Sequence, residues 1–176
     1  FECDVCEVLR YLDMPYVTFK VDFKQGKYTK NGCDIVEFLI SANPGEEPRP
    51  LSKIASGGEL SRIMLAIKSV LADRDVIGTM IFDEIDTGIS GRAAQKVGYQ
   101  LKKVSNGRQV LCVTHLAQIA AKADTHFYIE KNVVDGRTRT DITTLDFEGR
   151  KYELARIIGG ETTALNLKSA EEMLNN

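Results

Sequence analysis

A chain of 176 residues with 43% apolar and 27% charged side chains can build one hydrophobic core with a small appendage, and its formal charge of −2 supplies no overall positive field for nucleic acid. Of the cysteines at 3, 6, 33 and 112, only Cys3 and Cys6 stand close together, which argues against a zinc cluster or a disulfide framework and for reduced thiols in a cytoplasmic protein. No run reaches transmembrane length and no basic-then-apolar leader occurs, while an opening on Phe1 rather than methionine leaves room for a longer parent chain.

In chain order, Phe1, Val5, Leu9 and Leu12 recur at helical steps, so residues 1–13 form a short helix that Met14-Pro15 ends. "VTFKVDF" (17–23) alternates apolar and polar residues, "GKYTKNG" turns the chain, and "DIVEFLISA" (34–42) returns, giving two antiparallel strands over 17–42. "NPGEEPRP" (43–50), with three prolines and a glycine, is a loop. A helix follows over 59–72, then a strand buried on both faces over 76–82, and a second helix over 91–104 with Ala94, Val97, Leu101 and Val104 as its stripe. "QVLCVT" (109–114) is a short apolar strand ended by His115, a helical stretch runs to about Lys122, and "HFYIEK" (126–131) is a third strand. "VDGR" (134–137) marks a hairpin, and residues 151–159 and 163–174 are helical. The alternation of helices and buried strands from 59 onward predicts an α/β fold with a mostly parallel sheet, flanking helices and antiparallel strands at its edges.

The strongest chemical signal is "TMIFDEIDTG", in which Met80, Ile81 and Phe82 deliver Asp83 and Glu84 to the carboxyl end of a strand, where open α/β sheets bind ligands. There Asp83 can serve Mg²⁺ and Glu84 can orient or deprotonate a water, although two acids at a wet strand end are also an ordinary surface feature. Asp86, with Gly88 and Gly91, adds a third acid and a flexible turn. His115, if its strand neighbours that of Asp83, emerges at the same edge, where an imidazole can contact a phosphate oxygen or a water; alone it reads equally as a cap or plain surface. His126, inside a strand, carries no such reading. In "ASGGEL", Ser56 and Glu59 fit a capping box, while Gly57 and Gly58 leave the first-turn N–H groups open, as a phosphate at a helix N-terminus requires. Both readings of the glycine pair stand. A lysine-bearing phosphate loop, GxxxxGK[ST], occurs nowhere in the chain.

"LSKIASGGELSRIMLAIK", "TMIFDEIDTGISG" and "VLCVTHLAQIAAKAD" resemble, in order and spacing, the signature, Walker B with D-loop, and switch-histidine segments of the ABC-type ATPase heads of structural-maintenance-of-chromosomes-like (SMC-like) proteins. The wording of 37–62 and of 82–91 resembles that of their bacterial DNA-repair branch. The resemblance implies a split P-loop NTPase head, of which residues 1–176 form the C-terminal lobe. Within it, 1–13 would be the end of a returning coiled-coil helix, 17–42 antiparallel strands, 51–146 the motif-bearing core and 151–176 terminal helices. A phosphate loop on an N-terminal lobe of the same protein would then explain its absence here.

By the same resemblance Ser56 with Gly57 and Gly58 contacts the γ-phosphate of ATP held by a second head, in an ATP-sandwiched dimer, and Glu59 belongs to the same cofactor-binding turn. Asp83 serves Mg²⁺, Glu84 is the general base, Asp86 and residues 88–90 cross the dimer interface, and His115 senses the γ-phosphate. The implied activity is ATP hydrolysis coupled to DNA double-strand-break repair and recombination, cytoplasmic and nucleoid-associated, with DNA but no membrane as partner and an inactive isolated chain. The competing reading is a non-hydrolytic head-docking or clamp module.

Overall fold

The computed structural model describes residues 1–54, 56–74, 76–134 and 136–175. They form two compact units, residues 1–113 and 114–176.

The first unit opens with α1 (Glu2–Tyr11), which buries Val5, Cys6 and Leu9. Val5, Leu9 and Leu12 are fully buried, and each contributes about 1.5–3 kcal/mol of apolar transfer. The helix stops before the proline predicted to end it. Asp13 turns left-handed at φ 70°, and the Met14 N–H reaches back to the Leu9 carbonyl at 3.0 Å. Strand β1 (Thr18–Thr29) pairs antiparallel with β2 (Gly32–Ser41). The hairpin is longer than the alternation suggested, because Thr29 Oγ1 donates to the Gly32 carbonyl (2.8 Å) and accepts from Asn31 N–H (3.2 Å), closing the turn six residues beyond Phe23. A register shift between Gln25 and Thr29 absorbs the glycine-containing stretch read as turn. Within 43–50, Arg49–Pro50 forms β3 against the end of β2.

Helix α2 (Gly57–Val70) follows, packed between α1 and α3 (Gly91–Val104). α3 runs over the residues its apolar stripe predicts, burying Ala94, Val97, Leu101 and Val104. Strand β4 (Thr79–Phe82) lies parallel to β5 (Gln109–Cys112), with Phe82 opposite Cys112. β4 is not buried on both faces. Met80 and Phe82 point inward, but Ile81 is 70% exposed, because no further strand or helix among the described residues covers that face.

In the second unit a short α4 (Ala117–Ala120) precedes β6 (His126–Val134) and β7 (Arg137–Leu145). The two strands form their own antiparallel hairpin, so the third apolar run does not extend the β4–β5 pair. The hairpin signal at 134–137 stands in the pairing of Val134 with Arg137, and its turn residue Asp135 lies outside the described residues. α5 (Phe147–Gly159) begins earlier than its apolar pattern, because Asp146 caps it through Gly149 N–H at 2.8 Å, and Gly160 in the left-handed region ends it. α6 (Ala164–Asn175) packs on α5 around Leu154, Ala155 and Ala170. No helix among the described residues is long and apolar enough to cross a membrane.

Candidate functional site

Strand β4 ends at Phe82, and the chain then folds into a tight loop rather than continuing. Asp83 Oδ1 accepts the Glu84 N–H at 2.9 Å, which bends the backbone back at once. Glu84 is left-handed at φ 56°, a conformation that costs a non-glycine residue about 1–2 kcal/mol. Thr87 N–H closes the turn on the Glu84 carbonyl at 3.1 Å. Asp83 and Glu84 are exposed, whereas Ile85 and Asp86 are buried.

The first turn of α2 lies against this loop. Ser56 caps the helix, its Oγ accepting from Glu59 N–H at 3.4 Å, so the serine half of the expected capping box forms. The glycine pair answers to close approach. A Cβ on Gly58 would lie 2.7 Å from the Thr87 carbonyl oxygen and 3.1 Å from that of Glu84, and a Cβ on Gly57 would run into Glu84 Oε2. Glu84 thus lies directly beside the first residue of α2.

Two residues beyond the expected set tie helix to loop. Ser61 Oγ donates to the Asp83 carbonyl at 2.7 Å, and Arg62 Nη1 donates to the Ile85 and Thr87 carbonyls at 3.3 and 2.8 Å. Arg62 is 7% exposed, and burial pulls its guanidinium below the ordinary value, partly offset by the Glu59 and Asp13 carboxylates. The sequence signal for it is spacing: Arg62 lies four residues after Gly58, on the helix face that the glycine opens to the loop. From β5, Cys112 joins the neighbourhood. Burial first, then the Asp86 and Asp83 carboxylates, push its thiol up to about 12.

The structure therefore brings Ser56, Gly57, Gly58 and Glu59 together with Asp83, Glu84 and Asp86. His115 falls in the second unit, exposed, two residues ahead of α4. The described residues contain no cluster of three or more His, Cys, Asp or Glu able to hold a metal ion by themselves. Asp83 is nonetheless suited in type to a hard cation, since one carboxylate oxygen is fixed by the Glu84 N–H and a second oxygen remains for coordination.

The fold is that of a lobe of an SMC-type head domain. The chain superposes on an Smc head domain with a coiled coil and joint from Pyrococcus yayanosii with a TM-score of 0.60 at 20% identity, covering 97% of this chain and 28% of that one. A Pyrococcus furiosus Smc head bound to the C-terminal domain of ScpA gives 0.59 at 20% identity, covering 84% and 35%. In sequence the chain belongs with the RecN proteins and corresponds to a C-terminal part of them. It is 47% identical over 175 residues to the DNA repair protein RecN of Halalkalibacterium halodurans, covering 96% of this chain and 31% of that protein. It is 52% identical over 147 residues to RecN of Bacillus subtilis, covering 83% and 26%. The chain thus spans about a third or less of the length of these curated relatives. No family model matches it.

Proposed function

We propose that the chain is the C-terminal part of an ATP-hydrolysing head in an SMC-like protein of DNA double-strand-break repair and recombination. The observation that carries this reading is the α2 first turn, with Ser56, Gly57 and Gly58, set against two acids delivered by the carboxyl end of β4. The RecN relatives are named for DNA repair, and one SMC structure with the same fold comes from work on ATP-driven dimerization and DNA-stimulated activation.

In this proposal Asp83 holds Mg²⁺, which when bound would neutralise charge on the nucleotide phosphates. Glu84 takes the proton of the attacking water, as a carboxylate beside a reacting centre can. Ser56, Gly57, Gly58 and Glu59 offer the α2 N-terminus to a γ-phosphate on a second copy of the head, and its N–H groups and dipole favour an anion. Asp86 belongs to the loop facing that copy, and His115 senses the phosphate. The phosphate-loop lysine comes from the N-terminal part of the longer protein. Residues 1–13 end a coiled-coil arm, 17–42 and 51–146 complete the lobe, and 151–176 close it. The setting is cytoplasmic and nucleoid-associated, with DNA as the partner of the whole protein.

The test is ATP hydrolysis by this chain mixed with a separately produced N-terminal part bearing the phosphate loop, comparing native Glu84 with Glu84→Gln. Activity is expected only on mixing and is expected to collapse in the variant. A second reading, a docking module without hydrolysis, draws on the fact that loop packing alone accounts for both glycines. Associated, well-folded parts with no turnover would establish that reading instead.

A further inference from the structure

We infer that Arg62 is the positioning residue of this site: through its paired bonds to the Ile85 and Thr87 carbonyls it sets the loop that aims Glu84, and so couples the phosphate-contact end of α2 to the acids. This rests on the reading of Glu84 as the base.

Several observations converge on Arg62. Its guanidinium reaches from the second turn of α2 into the loop, donating from one nitrogen to two carbonyls that flank Asp86, at 3.3 and 2.8 Å. Burying an arginine for two backbone carbonyls is unfavourable by itself, and its Nε is buried without a hydrogen-bond partner. The Thr87 carbonyl, on an exposed residue, could be satisfied by water, whereas that of Ile85 belongs to a fully buried one. What the bonds hold is a backbone shape. Glu84 sits at φ 56°, a region that side-chain-bearing residues leave unless their surroundings over-determine it. The Arg62 bonds, the Ser61 bond to the Asp83 carbonyl and the Thr87–Glu84 turn bond bracket Glu84 from both sides.

The same helix carries Ser56, Gly57 and Gly58 at its first turn, one turn before Arg62. Gly58 allows the helix to seat close enough for the bonds to form, since a Cβ there would lie 2.7 Å from the Thr87 oxygen that Arg62 itself grips. A displacement of α2 by a phosphate at its N-terminus is therefore transmitted to Glu84 by a short lever. The coupling runs between two sites: the γ-phosphate contact made by this copy and the water-activating acid of this copy, which serves a different nucleotide. Arg62 is the link by which occupancy of one is felt at the other.

The experiment compares native chain, Arg62→Lys and Arg62→Ala by amide hydrogen exchange, and then by ATP hydrolysis of each after assembly with the N-terminal part. The lysine variant keeps the charge but carries it on a shorter, flexible stem, without the rigid guanidinium plane that fixes Nη1 between the two carbonyls. Exchange at the Glu84 and Thr87 amides is expected to rise about tenfold in both variants, relative to core amides of α3 in the same sample, because local opening is separable from global unfolding. On assembly, kcat is expected to fall about a hundredfold with KM for ATP nearly unchanged, the scale of an ångström-sized misplacement of a reacting group. Should Arg62→Ala not fold, Arg62→Lys carries the test.

Loop amides that keep native exchange, or that speed up only in step with the core amides, overturn the assignment and leave Arg62 a structural residue. A loss confined to KM overturns it too. If Glu84→Gln leaves hydrolysis intact, it is the reading of Glu84 as base that fails, and the exchange measurement still decides the role of Arg62.

Discussion

Gly57 and Gly58 are neighbours in the first turn of α2, yet a methyl group at each meets a different obstacle. At Gly57 the obstacle is the tip of the Glu84 side chain, which can swing away; at Gly58 it is backbone, the Thr87 and Glu84 carbonyls. Alanine gains up to about 1 kcal/mol over glycine in a helix, whereas overpacking against fixed atoms costs about 1–3 kcal/mol. Gly57→Ala is therefore expected to leave urea stability unchanged or slightly raised, and Gly58→Ala to lower it by about 1–2 kcal/mol. Equal losses at both positions would contradict this account of the pair. Cys112 gives a second residue-level test, since burial and the Asp86 and Asp83 carboxylates raise its thiol from 9.0 to about 12. Alkylation at pH 8 followed by peptide mapping should label exposed Cys3 and spare Cys112. The folded state keeps this proton where the unfolded chain releases it, so the stabilising contribution is present below pH 9 and is lost as pH rises toward 12. Replacing Cys112 by alanine should flatten that alkaline loss.

Between elements, His126 of β6 feels the charges of Arg150 and Glu153 on α5, which makes stability depend on pH on the acid side. Burial, and then the positive Arg150, lower the pKa of His126 below its ordinary value, with Glu153 opposing. Arg150 is itself held in place, donating to the Ala121 and Ala123 carbonyls at 3.3 and 2.7 Å. The unfolded chain takes up a proton near pH 6.5 that the folded strand refuses until lower pH, so stability falls as pH drops through that window. Urea midpoints should be lower at pH 5.5 than at pH 7.5, and His126→Gln should remove most of the difference; an unchanged slope in the variant would place the effect elsewhere. What the sequence disclosed follows the same physics of local and non-local terms. α3 was legible to the residue because its stripe is regular, and the position of Asp83 and Glu84 was legible because a strand ends where its apolar run does. The length of the β1–β2 hairpin was not, since it depends on Thr29 bonding around the turn rather than on apolar pattern. The open face of β4 was not, since three apolar residues in a row, Met80 to Phe82, look alike whether or not anything covers them. Arg62 was missed for a related reason: its spacing from Gly58 carries meaning only once the loop it grips is placed against that face of the helix.

For the molecule as a whole, the open face of the β4–β5 pair is the feature with the largest consequence. Ile81 and Leu111 stand opposite each other on that face, 70% and 40% exposed, with Val113 at 56% one pleat further on. Isolated exposed aliphatics are ordinary, but three adjoining ones on a short strand pair form a contiguous apolar surface with unpaired backbone at its edges. This chain matches only 31% of the length of the Halalkalibacterium protein, and cover for such a face by the rest of a longer protein is a prediction that mixing can test. Taken alone, the 176-residue chain is expected to self-associate as its concentration rises, through this surface and without the saturable symmetry of a built dimer. Sedimentation velocity over a hundredfold range of concentration, alongside binding of a hydrophobic dye, measures this directly. Ile81→Asn should weaken both signals while changing stability by no more than about 0.5 kcal/mol, because the side chain it replaces is in water already. Adding the N-terminal part should suppress association and dye binding together, since one face cannot be covered twice. A chain that stays monomeric throughout and binds no dye would show that the face is closed in solution, and the argument that another part of the protein must cover it would then lose its basis.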